Sequence, residues 1–176
     1  KVRARKQKLK AHRAKRGEGT KFYAQWAKKF PQDAQVARGY LAFATDYGSP
    51  EDCRAALQHM LRFQWKTSDP DLHRRMMVCA GRNKDVNLAR QAYAWIKREE
   101  QKHGYVANYT IEQGDVLQEL KLEKEAQERF TIASQAPIFT TSSRDGLKRL
   151  LALEMDRAKK IQLLQQGIAK NSDYYG

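Results

Sequence analysis

The chain has 176 residues, of which 34 are basic and 20 acidic, so its formal net charge is +14. No apolar stretch approaches the roughly 20 residues that a membrane-spanning helix needs. Phosphate-loop, HExxH, CxxC and dinucleotide-glycine motifs are absent. This argues against an enzyme and predicts no catalytic residue, no cofactor and no small-molecule substrate.

Positive charge is concentrated in the first 21 residues. Ten basic side chains lie there against Glu18 alone, a formal +9, which leaves +5 for the rest of the chain (14 − 9). Val2 and Leu9 are the only large apolar residues of this segment, too few for an amphipathic helix to bury. We predict a basic arm over residues 1–21 that is disordered alone in water and becomes helical once phosphates neutralise it.

Three interpretations of the basic arm remain open at this stage: a solvated tail, the remnant of a cleaved transit peptide, and an arm threaded along nucleic acid. We favour the third, with ribosomal RNA as the partner. A fourth interpretation, binding to a membrane surface, is disfavoured because it requires an aromatic or leucine face that the arm lacks. Phosphate contacts would supply affinity and register without reading sequence. The residues predicted to bind RNA phosphates are Arg3, Arg5, Lys6, Lys8, Lys10, Arg13, Lys15 and Arg16.

A single sharp change of pattern follows the arm, after Gly17 and Gly19. We place a helical domain over residues 22–170 and a C-terminal tail over residues 171–176. Because the chain begins at Lys1 rather than at a methionine, we expect a fragment or a processed form.

The first helix of this domain carries three aromatic residues, Phe22, Trp26 and Phe30, at intervals of four. This spacing places them on one helical face, which we predict to be part of the core. Pro31 is predicted to end the helix.

Apolar residues at helical spacing predict further helices, with Ser49 as an N-cap and a helix end at His103-Gly104. Strand signals are absent, so the predicted fold class is all-α. The predicted inward residues, helix by helix, are Ala37, Tyr40, Leu41 and Ala44; Cys53, Leu57, Met60, Leu61 and Trp65; Leu72, Met76 and Ala80; Val86, Ala89, Tyr93 and Ile96; Leu147, Leu150 and Leu151; and Ala158, Ile161, Leu164 and Ile168.

The helices also follow a repeat. Small residues return at roughly the 34-residue period of helix-turn-helix arrays, at Ala56, Ala89, Ala126 and Ala158. A small residue is needed where the two helices of a pair cross closely. We predict a right-handed superhelical array of about four antiparallel helix pairs, whose clearest copy spans residues 108–137.

Two stretches of the chain resemble known repeat families, and the resemblance covers roughly residues 22–170. The first matches the small-and-aromatic pattern of tetratricopeptide repeats, at Gly114, Leu117, Ala126, Phe130, Ala133 and Pro137. The second is similar to a pentatricopeptide repeat, at Cys79-Ala80-Gly81-Arg82 followed by Ala89, Tyr93 and Lys97.

The two families imply different partners. Tetratricopeptide arrays hold peptides or other proteins, whereas pentatricopeptide arrays hold single-stranded RNA in mitochondria or plastids and read one base per repeat. Arg74 and Glu112 stand at the corresponding first-helix positions, where the RNA-binding family has small polar residues. This departure speaks against a base-reading code, and the resemblance implies protein neighbours on the repeat surface.

The cysteines and histidines predict no special chemistry. Cys53 and Cys79 fall inside helical patterns and are interpreted as buried small hydrophobic residues of a reducing intracellular compartment, not as a disulfide. None of the four histidines, His12, His59, His73 and His103, stands at metal-ligand spacing from a cysteine or an acidic cluster, so no metal site is predicted.

Three aromatic residues are candidates for an interface. Trp95 departs from the inward stripe of its helix and is predicted to be the most exposed tryptophan, although packing is favoured over base stacking. Tyr174 and Tyr175 lie side by side near the end of the chain. They serve either as an interface anchor or as a cap on the last repeat, and both interpretations stay open.

Two hypotheses about function follow. In the first, the chain is a non-enzymatic scaffold subunit of an RNA-containing assembly, for which an organellar ribosome is the preferred example. In the second, it is a tetratricopeptide-like protein–protein adaptor in a secretion or respiratory complex without RNA. The basic arm favours the first hypothesis, and the modest +5 charge of the remaining chain favours the second.

Overall fold

A computed structural model describes residues 18–63, 69–103, 109–135 and 141–175, with the backbone alone at 103, 141–142 and 170–175. Every regular element in these ranges is an α-helix, which confirms the all-α prediction for this part of the chain. The helices are α1 (18–29), α2 (Ala34–Tyr47), α3 (Pro50–Met60), α4 (Pro70–Arg82), α5 (Val86–His103), α6 (Thr110–Glu119), α7 (Glu123–Ser134), α8 (Thr141–Leu153) and α9 (Arg157–Tyr175).

The chain divides into two compact units, Lys1–His103 and Gly104–Gly176, whose boundary falls inside the helical domain predicted over residues 22–170. The first contains α1 to α5 and the second α6 to α9. No helix among the described residues combines the length and apolarity needed to cross a membrane.

Helix starts in the first unit follow from capping residues. The Asp33 carboxylate accepts hydrogen bonds from the first amides of α2. Ser49 forms a capping box with Asp52 at the start of α3, which confirms the predicted N-cap. Asp69 caps α4, where Pro70 occupies the first helical position.

The core of the first unit contains most of the predicted inward residues of α2, α4 and α5, including Leu41, Ala80 and Ala89, each fully buried. The prediction is wrong at the end of α3, because the helix stops at Met60 and Leu61 is 48% exposed in the turn beyond it. Trp65 lies outside the described residues.

Cys53 and Cys79 form a disulfide between α3 and α4, which corrects the prediction of free cysteines. Their burial was predicted correctly, since both are 0% exposed. The two helices pack together and bring the Cα atoms to 5.0 Å, a separation that a disulfide spans readily. The expectation of a reducing compartment rested on free cysteines and loses that support.

Replacing both cysteines by alanine is expected to lower the free energy of unfolding by about 2–4 kcal/mol, because the disulfide closes a loop between residues 26 positions apart. Chemical denaturation without reductant measures the loss. Dithiothreitol should destabilise the native chain and leave the double alanine variant unchanged. Two reactive thiols in the denatured, unreduced protein would contradict the disulfide.

The second unit is built around a close approach of α6 and α7. A Cβ atom at Gly114 would overlap the ring of Phe130, which is fully buried together with Leu117 and Ala126. The sequence predicted a small residue at this crossing for that reason. Helix α8 also packs against α7, at Gly146, where a Cβ would meet Ala133 at 2.9 Å.

The inward face of α9 differs from the prediction. Ala158 is exposed, and Ile161, Leu164 and Ile168 are 48%, 47% and 67% exposed. Among the α9 residues whose side chains are described, 157–169, the buried one is Gly167, whose backbone lies against the Leu147 side chain so closely that a Cβ would clash. The helix turns its smallest residue toward α8, so the larger apolar side chains face away. Of the four alanines in the predicted 34-residue series, Ala158 alone is not buried.

Candidate nucleic-acid interface

Helix α1 and the residue that follows it, Phe30, present three aromatic rings on one exposed face. Phe22, Trp26 and Phe30 are 47%, 42% and 42% exposed, and their ring centroids follow one another at 4.7 and 5.7 Å. The prediction that they share a helical face is confirmed, and the prediction that this face is part of the core is wrong. We call these three residues the aromatic face.

A different stripe of α1 makes the contacts with α2. Thr20 and Ala27 are buried, and the ring of Tyr23 packs against Phe43 with a centroid distance of 5.0 Å. Tyr23 also covers Gly39 of α2, where a Cβ would overlap its ring. Small residues on both helices therefore bring α1 close to α2, and the larger rings of the aromatic face are left outside.

Lysines accompany the aromatic face. Lys21, Lys28 and Lys29 are exposed on α1, with Glu18 as the helix's acidic residue. The Lys29 ammonium lies 5.5 Å from the centre of the Phe30 ring, within cation–π range. Exposed rings flanked by cations form the arrangement that single-stranded nucleic acid binds, because bases stack on the rings while the cations contact phosphates.

The predicted phosphate-binding residues of the basic arm, Arg3 to Arg16, lie outside the described residues. In sequence, one residue, Gly17, separates Arg16 from the start of α1, so the end of the predicted arm, residues 18–21, is the first turn of this helix. The nine cations of residues 1–17 are therefore followed directly in the sequence by the aromatic face and the lysines of α1.

Trp95 is half-buried and not the exposed ring that its position predicted. Its indole stacks on the imidazole of His73, with ring centroids 3.4 Å apart and planes 13° from parallel. One face of the indole is therefore covered within the chain, which fits the packing role that the sequence favoured. Of the two tryptophans that the structure describes, Trp26 is the more exposed.

Neither of the two candidate base-reading residues, Arg74 and Glu112, has an exposed side chain. Arg74 is 6% exposed, and its Nη2 lies 2.9 Å from the Asp71 carboxylate. Asp71 also binds Arg75. Burial raises the pKa of Asp71, but the hydrogen bonds from Arg75 and Arg74 outweigh it and lower the pKa below its usual value. Arg74 is thus held within α4, and Glu112 is half-buried in the first turn of α6.

The remaining candidates add no further site. The backbone of α9 continues through Tyr174 and Tyr175, so the end of the segment predicted as a tail is helical, while both side chains lie outside the described ones. In the described ranges no three histidine, cysteine or acidic residues come together as a metal site would require.

Sequence reasoning missed the exposure of the aromatic face. A usable signal was present, since Thr20, Tyr23 and Ala27 form a second stripe at helical spacing whose small members allow a close helix crossing. The lysines at 21, 28 and 29 also mark the helix as partly solvated. Periodicity alone does not decide between two such stripes.

Comparison of the chain with protein-family models, curated proteins and solved structures found no match. The functional argument therefore depends on the residues described above.

Proposed function

We propose that this chain is a non-enzymatic scaffold subunit of an RNA-containing assembly, with an organellar ribosome as the preferred example. Its basic arm contacts RNA phosphates, and its helices form a tetratricopeptide- or pentatricopeptide-like right-handed superhelical array that contacts protein neighbours. The observation that carries the proposal is the continuity of the arm, +9 over residues 1–21, with the exposed rings and lysines of α1.

The division of labour in this proposal follows from the chemistry of each part. Arm cations supply affinity through release of counterions from the phosphates, and the aromatic face holds unpaired bases by stacking. The buried, salt-bridged Arg74 argues against base-by-base reading along the helix pairs. The expected ligand is therefore single-stranded or looped RNA without strong sequence preference.

The test is a titration of the full chain with a labelled single-stranded RNA at several salt concentrations. The logarithm of the binding constant should fall steeply with the logarithm of the salt concentration, by about 0.7 for each neutralised phosphate. Binding that is absent or insensitive to salt would contradict the proposal.

Substitution of Trp26 separates stacking from general apolar contact. Trp26→Leu should weaken RNA binding by about 5- to 100-fold, the effect of losing one stacked base. Trp26→Phe keeps a ring and should retain most of the affinity. Equal binding by both variants would show that bases do not stack at this position.

A second function, a protein–protein adaptor in a secretion or respiratory complex, is favoured by α9. Ile161, Leu164 and Ile168 form an exposed apolar stripe of the kind that a partner helix covers. If a partner binds this stripe, the variant Ile161→Asp, made in the full chain with the arm unchanged, should lose the protein partner. A variant that keeps the partner would show that the stripe is unused. Loss of the partner on Ile161→Asp, with RNA binding absent throughout, would favour the adaptor.

A further inference from the structure

A pocket of about 310 Å³ lies between α1, α2 and the end of α3. Its polar walls are formed by Lys28, Tyr40, Gln58, His59 and Arg62, and alanines and a proline complete the lining. None of the three rings of the aromatic face belongs to this lining, so the pocket is a separate feature that shares α1 with them.

The charge of the pocket is of one sign. Lys28 and Arg62 contribute two cations, and none of the lining residues is acidic. Neither cation has a salt-bridge partner within the described part of the chain. By contrast, Arg75 bonds to Asp71 and Asp46, and Arg149 is held by Asp115.

The pocket also contains an unused hydrogen-bonding group. His59 is 6% exposed, and its Nε2 atom has no hydrogen-bond partner. Its ring packs edge-on against Phe63 at 5.9 Å. A buried polar atom without a partner carries a desolvation cost, which a bound ligand can remove.

We infer that this pocket binds a phosphate group, with Lys28 and Arg62 supplying charge and the side chains of His59, Gln58 and Tyr40 supplying further hydrogen-bonding groups. A guanidinium and an ammonium in one pocket lining suit a tetrahedral oxyanion, since the guanidinium bonds through its planar fork and the ammonium acts as a compact charge. The phosphate group can come from two sources, the RNA backbone or a free phosphate or nucleotide. The inference rests on the proposed function only if the source is RNA.

The histidine gives the pocket a pH-dependent response. Burial and the neighbouring Arg62 charge lower the pKa of His59 below its ordinary value, so the empty pocket holds a neutral imidazole at neutral pH. Lys28 faces it from α1 and Tyr40 from α2, and burial followed by the charge of Asp52 raises the pKa of Tyr40. A bound anion favours imidazolium, so binding should take up a proton and strengthen as the pH falls.

The experiment uses the full chain and inorganic phosphate, exchanged for chloride at constant ionic strength, with the His59 imidazole proton followed by NMR. A saturable shift is expected. The double variant Lys28→Gln with Arg62→Gln should weaken phosphate binding at least tenfold, and both residues are exposed enough for the variant to fold. The matched control, Arg54→Gln with Lys124→Gln, changes two exposed cations that lie outside the pocket, the basic arm and α1, and should bind phosphate normally.

Two further arms identify the source of the phosphate and the role of the histidine. If RNA supplies the phosphate group, the pocket variant should also bind single-stranded RNA more weakly than the control does. If the pocket variant loses phosphate binding but keeps its RNA affinity, the ligand is a free anion. Sulfate, which stays doubly charged from about pH 5.5 to 8, should bind more tightly at the acidic end, and His59→Gln should remove that dependence.

The absence of a saturable phosphate shift, or equal phosphate affinity in the pocket variant and the control, would overturn the inference. Neither result touches the RNA titration, so the proposed function can stand while the pocket fails. Conversely, phosphate saturation in a chain that binds no RNA would support the pocket and overturn the proposed function.

Discussion

Neutralising four arm cations, Arg3, Arg5, Lys6 and Lys8, by substitution with glutamine is expected to weaken RNA binding by about two to three orders of magnitude at about 0.1 M salt. Each neutralised phosphate contributes about 0.7 to the log–log salt slope on single strands, so four contacts contribute about 3. The same substitutions should flatten the slope by that amount. The affinities of the native chain and the variant should therefore converge as the salt concentration approaches about 1 M.

The measurement is the RNA titration repeated with this variant and with a control of equal charge change. Suitable control positions are four of the exposed cations of the second unit: Lys121, Lys124, Arg144 and Lys148. Their replacement by glutamine should leave the salt slope nearly unchanged, because they lie outside the arm and α1. Equal losses in the two variants would mean that net charge attracts RNA non-specifically and that the arm has no special role.

The inward residues were predicted well for helices that pack between other helices of the same unit. Ala89 and Ala126 are both 0% exposed, as their place in the repeat pattern predicted. Gly114 packs directly under the Phe130 ring, so its place in the repeat pattern follows from geometry. At such positions hydrophobic periodicity and residue size give the same answer, and the structure agrees with both.

The first and last helices were predicted less well for a common physical reason. Each helix has two apolar stripes, and the stripe with smaller residues allows the closer approach. In α1 the stripe with Ala27 packs inward and Trp26 is left outside; in α9 Gly167 packs inward and Ile161 is left outside. Periodicity measures hydrophobicity and does not tell which stripe permits contact.

The candidate site was only partly predictable. The arm is visible as a run of like charges, and its link to RNA rests on that composition. The pocket at His59 brings α1, α2 and α3 together, and no spacing in the sequence connects Lys28 with Arg62. The disulfide could not be predicted for the same reason, since Cys53 and Cys79 meet only when α3 packs on α4.

Replacing Phe130 by alanine is expected to cost about 3–5 kcal/mol in the free energy of unfolding of the second unit. The ring is 0% exposed, lies against Gly114 and has the Arg149 guanidinium carbon 5.9 Å from its centre. Because one side of the resulting cavity is the backbone of α6 at Gly114, the site cannot collapse fully to fill it. Chemical denaturation followed by circular dichroism measures the loss.

The matched control is the same substitution at Phe22, whose ring is 47% exposed. Phe22→Ala should cost about 1 kcal/mol or less, because roughly half of the ring already contacts water and no enclosed cavity forms. The two variants also separate stability from function: Phe130→Ala should destabilise the second unit while RNA affinity of the folded chain is kept, and Phe22→Ala should lower RNA affinity with little loss of stability. A large loss of stability at Phe22 would mean that the aromatic face is structural, and its role as a stacking surface would then have to be abandoned.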